Sequence, residues 1–104
     1  MNPQTDQPKW TYEIKKKAQR QLEKLAPKDQ TRVFRSIEEL IYADNPAFVQ
    51  GVKHLEGSDP KRWRQRQGDY RIIFSLEAGE MVEMNLIYKG RLIIHEIAIH
   101  HTGY

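Results

Sequence analysis

The sequence predicts an α+β fold: a small antiparallel β-sheet with an N-terminal helical hairpin packed on one face. Apolar residues recur at helical spacing through two successive segments between residues 15 and 43, then alternate at strand spacing through most of the chain after residue 63. Tight-turn signals separate the alternating segments. A length of 104 residues suffices for one two-layer core and is too short for a second.

Residues 1–9 are polar, contain two prolines and have nothing to pack against, so a loose tail is expected there and a single domain over residues 10–104. Trp10, Tyr12 and Ile14 alternate with Thr11 and Glu13 as a short strand whose aromatic face is buried. Ala18, Leu22 and Leu25 then form an apolar stripe among Lys15, Lys16, Lys17, Arg20 and Lys24, a first helix ending near Ala26-Pro27. A second helix starts around Lys28 or Asp29 and carries Val33, Phe34, Ile37, Leu40 and Ile41 on one face; Asp44-Asn45-Pro46 stops it. The short connection makes the two helices an antiparallel hairpin. Neither stripe can enclose a core alone, so both must lie on the sheet.

Residues 47–60 read as a connection anchored by Val52 and Leu55 and closed by the turn cluster Gly57-Ser58-Asp59-Pro60. Next comes the stretch around which the chain is organised, from Trp63 through the turn at Gly68-Asp69 to Phe74. Alternation puts Arg64 and Arg66 on one face and Trp63, Gln65 and Gln67 on the other; after the turn Tyr70, Ile72, Phe74 and Leu76 oppose Arg71, Ile73 and Ser75. Paired across Gly68-Asp69, the segments hold three guanidinium groups close together, either as a solvated surface or as a seat for an anion. The strand is expected to end at Glu77-Ala78-Gly79-Glu80, and a further pair to turn at Lys89-Gly90, setting Leu86 opposite Ile93 and Val82 opposite Ile97. The same register opposes Glu83 to Glu96, a like-charge pair that a bulge would relieve.

Composition narrows the function. No apolar run reaches membrane-spanning length and no signal-peptide pattern opens the chain, so a cytoplasmic protein that does not engage membranes is expected. With no cysteine, disulfides, thiolate catalysis and Cys-ligated zinc are excluded. The net charge of +3 is unevenly spread: residues 9–35 hold nine Lys/Arg against three acids, residues 61–71 five against one, and residues 77–104 two against four. One basic face follows, suited to a phosphate backbone or another polyanion. No metal or cofactor motif is present. The chain closes on His100-His101-Thr102-Gly103-Tyr104, either a polar terminus or a set of acid–base and stacking groups, while His95 and His54 read as structural.

The order of strand, helical hairpin, Val52-Lys53-His54-Leu55-Glu56-Gly57, basic strand and Gly68-Asp69-Tyr70-Arg71-Ile72-Ile73-Phe74 resembles the RelE/ParE superfamily of toxin–antitoxin toxins. The resemblance implies the sheet-and-hairpin fold, a cognate antitoxin as partner, and ribosome-dependent cleavage of mRNA in the A site. It matches Arg71 to the arginine that holds the scissile phosphate, Arg64 and Arg66 to basic residues of the preceding strand, and Tyr104 to a C-terminal aromatic that stacks on a base. Lys61 and Arg62 join Arg64 and Arg66 as candidate RNA contacts. No arginine follows Arg91, where RelE has a C-terminal one, and His100 and His101 are instead similar to the tails of YoeB-, YafQ- and HigB-like relatives.

Metal-independent cleavage by the ribose 2′-hydroxyl needs a group to take its proton, a group to protonate the leaving oxygen, and cations beside the phosphorane. A histidine, His100 or His101, exchanges protons near neutrality. A preorganised donor such as Arg71 is typically worth roughly 3 kcal/mol in the transition state, and stacking on Tyr104 about 1–3 kcal/mol. A ParE-like DNA gyrase inhibitor and a non-catalytic nucleic-acid or partner-binding domain are the alternatives.

Overall fold

Two long strands joined at Met84 and Asn85 form the spine of the computed structural model, which describes residues 7–99. In chain order the elements are β1 (Thr11–Ile14), α1 (Lys16–Glu23), α2 (Pro27–Tyr42), β2 (Val52–His54), β3 (Trp63–Gln67), β4 (Tyr70–Glu83) and β5 (Leu86–Ile99), with a 3-10 turn at Pro46–Phe48 before β2. One sheet has the order β1-β5-β4-β3-β2, antiparallel except where β1 runs parallel to β5. This is the α+β architecture expected, with the first strand's parallel pairing added. Among the described residues no helix is long and apolar enough to cross a membrane.

The helices cover one face because their stripes have no other apolar surface to meet. Ala18 and Leu22 of α1, and Val33, Ile37, Leu40 and Ile41 of α2, join Tyr70, Ile72, Phe74, Leu92, Ile94 and Ile97 in one core. Phe34 was expected on that stripe and is instead exposed, its place taken by the buried Ser36. Tyr12 likewise stays 42% exposed while Trp10 is buried. A polar link joins the layers, with buried Gln65 donating to Glu39 of α2 at 2.8 Å, and the Asp29 carboxylate near the Tyr70 phenol raises the Tyr70 pKa. Beyond the reach of β1, the edge of β5 is closed by α1, whose Gln21 Oε1 accepts the Ile97 N–H at 2.7 Å.

The second half departs from the expected register. β4 continues unbroken through Glu77-Ala78-Gly79-Glu80, which forms an irregularity between Ala78, opposite Gly90, and Met81, opposite Tyr88. The turn falls at Met84 (φ 49°) and Asn85 (φ 67°), the two left-handed residues that a two-residue hairpin of the I′ type requires. Val82 therefore faces Ile87, Leu86 faces Glu83, Ile93 faces Ser75 and Ile97 faces Ile72. Glu96 lies opposite Ile73, so the suspected Glu83–Glu96 repulsion does not arise. Gly90 is in mid-strand for a steric reason: a Cβ there would lie 2.2 Å from the Glu77 carbonyl oxygen and 2.7 Å from Trp10. The connection before β3 also holds an edge strand, β2, that its sparse apolar pattern had hidden.

Candidate nucleic-acid interface

The Gly68-Asp69 turn sets the site. Gly68 (φ 57°) occupies the first loop position, where a II′ hairpin needs a left-handed residue, and Gln67 pairs directly with Tyr70. That register places Arg66 opposite Arg71 and Arg64 opposite Ile73 on β4 and Lys53 on β2. Paired residues share a face, so Lys53, Arg64, Arg66 and Arg71 all stand on the side of the sheet away from the helices. Three of the predicted residues are thus brought together. Successive rows along these strands are about 7 Å apart.

Two rows set like charges directly opposite one another, an arrangement that costs stability in a sheet. Nothing in the described residues relieves it. The carboxylate partners go to Lys9, Lys15, Lys17, Lys89 and Arg91, and none to the four cations of this face. The Nε atoms of Arg64 and Arg71 are buried without a hydrogen-bond partner. The planar fork of each guanidinium suits an anion with several acceptor oxygens. Replacing Arg66 by threonine is expected to raise folding stability by about 0.2–1 kcal/mol, measured from the urea midpoint, because one opposed pair disappears and a good strand former enters.

Arg62 lies one residue before β3 and is fixed by its backbone. Its carbonyl accepts the Leu55 N–H at 2.9 Å, and its N–H donates to Ser58 Oγ at 3.0 Å. The Leu55-Glu56-Gly57 turn therefore controls where the basic strand begins. Lys61 precedes it on the same loop. On the other side of β4, Ala98 of β5 is opposite Arg71 and Ile99 opposite Tyr70. The predicted His100, His101 and Tyr104 lie outside the described residues.

Two further groups flank the cationic rows. Arg32 and Arg35 of α2 line a cleft of about 300 Å³ with Gln67, Gly68 and Tyr70 at the turn end of the sheet. Their spacing resembles any solvated helix face, so no pattern marked them. His95, which reads as structural from its place between Ile94 and Glu96 in a strand, has its Nε2 2.7 Å from Ser75 Oγ, and Ser75 shares the Arg71 face of β4. A signal was present: the apolar parity of the last strand changes from Leu92 and Ile94 to Ile97 and Ile99, which requires one extra residue between them.

The architecture and site together define a RelE-type sheet-and-helical-hairpin fold with a cationic face that no described helix covers. A chain of the archaeal RelE–RelB complex from Pyrococcus horikoshii OT3 has this fold at TM-score 0.64 and 23% identity, covering 91% of this chain and 99% of that one. A chain of the toxin–antitoxin complex RelBE2 from Mycobacterium tuberculosis has it at TM-score 0.56 and 20% identity, covering 91% of this chain and 100% of that one. No family model matches the sequence, and no curated protein matches it.

Proposed function

We propose that this chain is the toxin of a toxin–antitoxin pair and acts as a ribosome-dependent endoribonuclease on mRNA in the A site. The observation that carries the reading is the unrelieved opposition of Arg66 and Arg71, with Arg64 one row away, on a face that no helix covers. Resemblance of the Gly68-to-Phe74 stretch to RelE-type toxins and the shared fold support the same assignment.

In the proposed reaction the 2′-oxygen forms a bond to phosphorus as the bond from phosphorus to the 5′-oxygen breaks. The 2′-hydroxyl gives its proton to a base, and the departing oxygen receives one from an acid. Arg71, with Arg64 or Arg66, binds the non-bridging oxygens as negative charge builds on them. His100 or His101 exchanges the protons, and Tyr104 stacks on the adjacent base. Ala98, two residues before His100 in the sequence, pairs with Arg71. An antitoxin that neutralises the protein is the proposed partner, and the cytoplasm its place of action.

Removing residues 100–104 should leave a folded protein that no longer cuts message. Primer extension on a cell-free translation reaction should show cuts with the full chain only when ribosomes engage the message, and none with the truncated chain. Uncut message together with inhibited gyrase supercoiling would instead establish the ParE-like alternative.

A further inference from the structure

The cationic face carries a titratable side chain, hydrogen-bonded to a serine, that the proposed chemistry leaves unused. His95 is the extra residue that β5 inserts between Ile94, opposite Phe74, and Glu96, opposite Ile73. This insertion turns its ring to the Ser75 hydroxyl, with Nε2 and Oγ 2.7 Å apart. Lys15 stands beside it at the end of β1, its backbone N–H bonded to the Ile94 carbonyl at 2.9 Å. Arg62, its backbone held by the Leu55 and Ser58 bonds, directly precedes Trp63, whose pairing with Phe74 brings Arg62 level with Ser75. Glu13 faces the group from β1 but is shared with Lys15 and Arg91, and Glu96 is taken by Lys17 at 3.4 Å.

We propose that His95 and Arg62 form a second phosphate subsite on this face, which binds a phosphodiester of single-stranded RNA further along the strand held at Arg71, with His95 bound as the imidazolium. The inference rests on the nucleic-acid reading of the face and extends it from one phosphate to a track. The track has three rows: Arg66 with Arg71, then Arg64 with Lys53, then Arg62 with His95 and Ser75. Their step of about 7 Å is of the order of the repeat of an extended nucleic-acid backbone. In the imidazolium both ring nitrogens donate, so Nε2–H is satisfied by Ser75 and Nδ1–H is left for a phosphate oxygen. Single-stranded RNA suits the surface better than a protein partner, because the apolar groups paired into these rows are Ile73, Ala98 and the largely buried Ile93, and a protein interface needs a larger apolar centre.

The protonation behaviour gives the subsite a signature. Burial first, then the charges of Arg62 and Lys15, hold the His95 imidazole below its ordinary value, against the weaker pull of Glu13. A phosphate placed there offsets the two cations and favours the proton. Binding and protonation are then linked: affinity increases as pH falls through the window between the lowered free value and the raised bound one, by at most about tenfold per pH unit for one proton.

The test uses a single-stranded 2′-deoxy decanucleotide, which lacks the attacking hydroxyl, and a full-length chain carrying His100→Gln and His101→Gln so that the terminal imidazoles do not titrate. Fluorescence anisotropy at low salt should show about 3–10-fold tighter binding at pH 5.5 than at pH 7.5, and adding His95→Gln should remove that difference. In the same background the His95 ring protons, followed by NMR, should titrate at higher pH once the oligonucleotide is added. Binding with equal affinity at both pH values and an unmoved His95 titration would overturn the subsite and leave the nucleic-acid face standing. No binding at either pH would remove both readings. A polyglutamate peptide that shifts His95 when the oligonucleotide does not would make the occupant a protein and overturn the RNA subsite.

Discussion

Arg71→Ala is expected to lower translation inhibition by at least about 100-fold, the usual cost of removing one preorganised donor from a developing oxyanion, while leaving the protein as stable as before or more so. The two readouts separate function from structure. An arginine kept for folding would lower stability when lost, whereas Arg71 opposes Arg66 directly and has no carboxylate partner among the described residues. Its loss relieves repulsion and frees a buried Nε from going unbonded. Arg71→Lys keeps the charge without the two-pronged geometry and should recover only part of the activity. Inhibition measured in a cell-free translation reaction alongside urea unfolding of the same samples decides the matter; a fall in both would point to a structural arginine.

Phe74→Ala should produce the largest loss of stability, about 3–5 kcal/mol, since a fully buried phenyl leaves both its transfer energy and a cavity behind. Phe74 stacks on Trp63 with ring centres 6.1 Å apart, and it faces Ile94 on β5 beside the inserted His95. It therefore joins the start of β3 to the middle of the sheet. Against a typical total of about 5–15 kcal/mol for a domain, the loss should shift the urea midpoint sharply. A change below about 1 kcal/mol would mean that the neighbouring side chains close over the space.

The element that carries the proposed chemistry was the most legible in the sequence. Alternation around Gly68-Asp69 places Arg64, Arg66 and Arg71 on one face without reference to anything distant, because a two-residue turn fixes register locally. The helical stripes were legible for the same reason, although Phe34 and Ser36 exchanged places once the sheet was beneath them. What failed was the long hairpin. Lys89-Gly90 carries the glycine expected of a turn, but Gly90 is small to admit Trp10, and the left-handed residues proved to be Met84 and Asn85. A glycine required by tertiary packing and one required by a turn look alike in one dimension. The displaced turn also concealed the insertion at His95, which placed a titratable group on the cationic face. Arg32 and Arg35 reach the turn end of the sheet only through packing of the helix on it, a relation no local pattern records.

The hairpin's outer half has a further consequence. β3 pairs with β4 only as far as Phe74, so from Leu76 onward no described strand pairs with that side of β4, which runs beside exposed Val82, Met84 and Ile87. Such a margin invites adhesion to another copy, yet Glu77, Glu80 and Glu83 are strung along it. Glu77 is shared with Arg91 and Glu83 accepts from the Thr11 hydroxyl, so Glu80 supplies the unshared negative charge that a second molecule would meet along this arm.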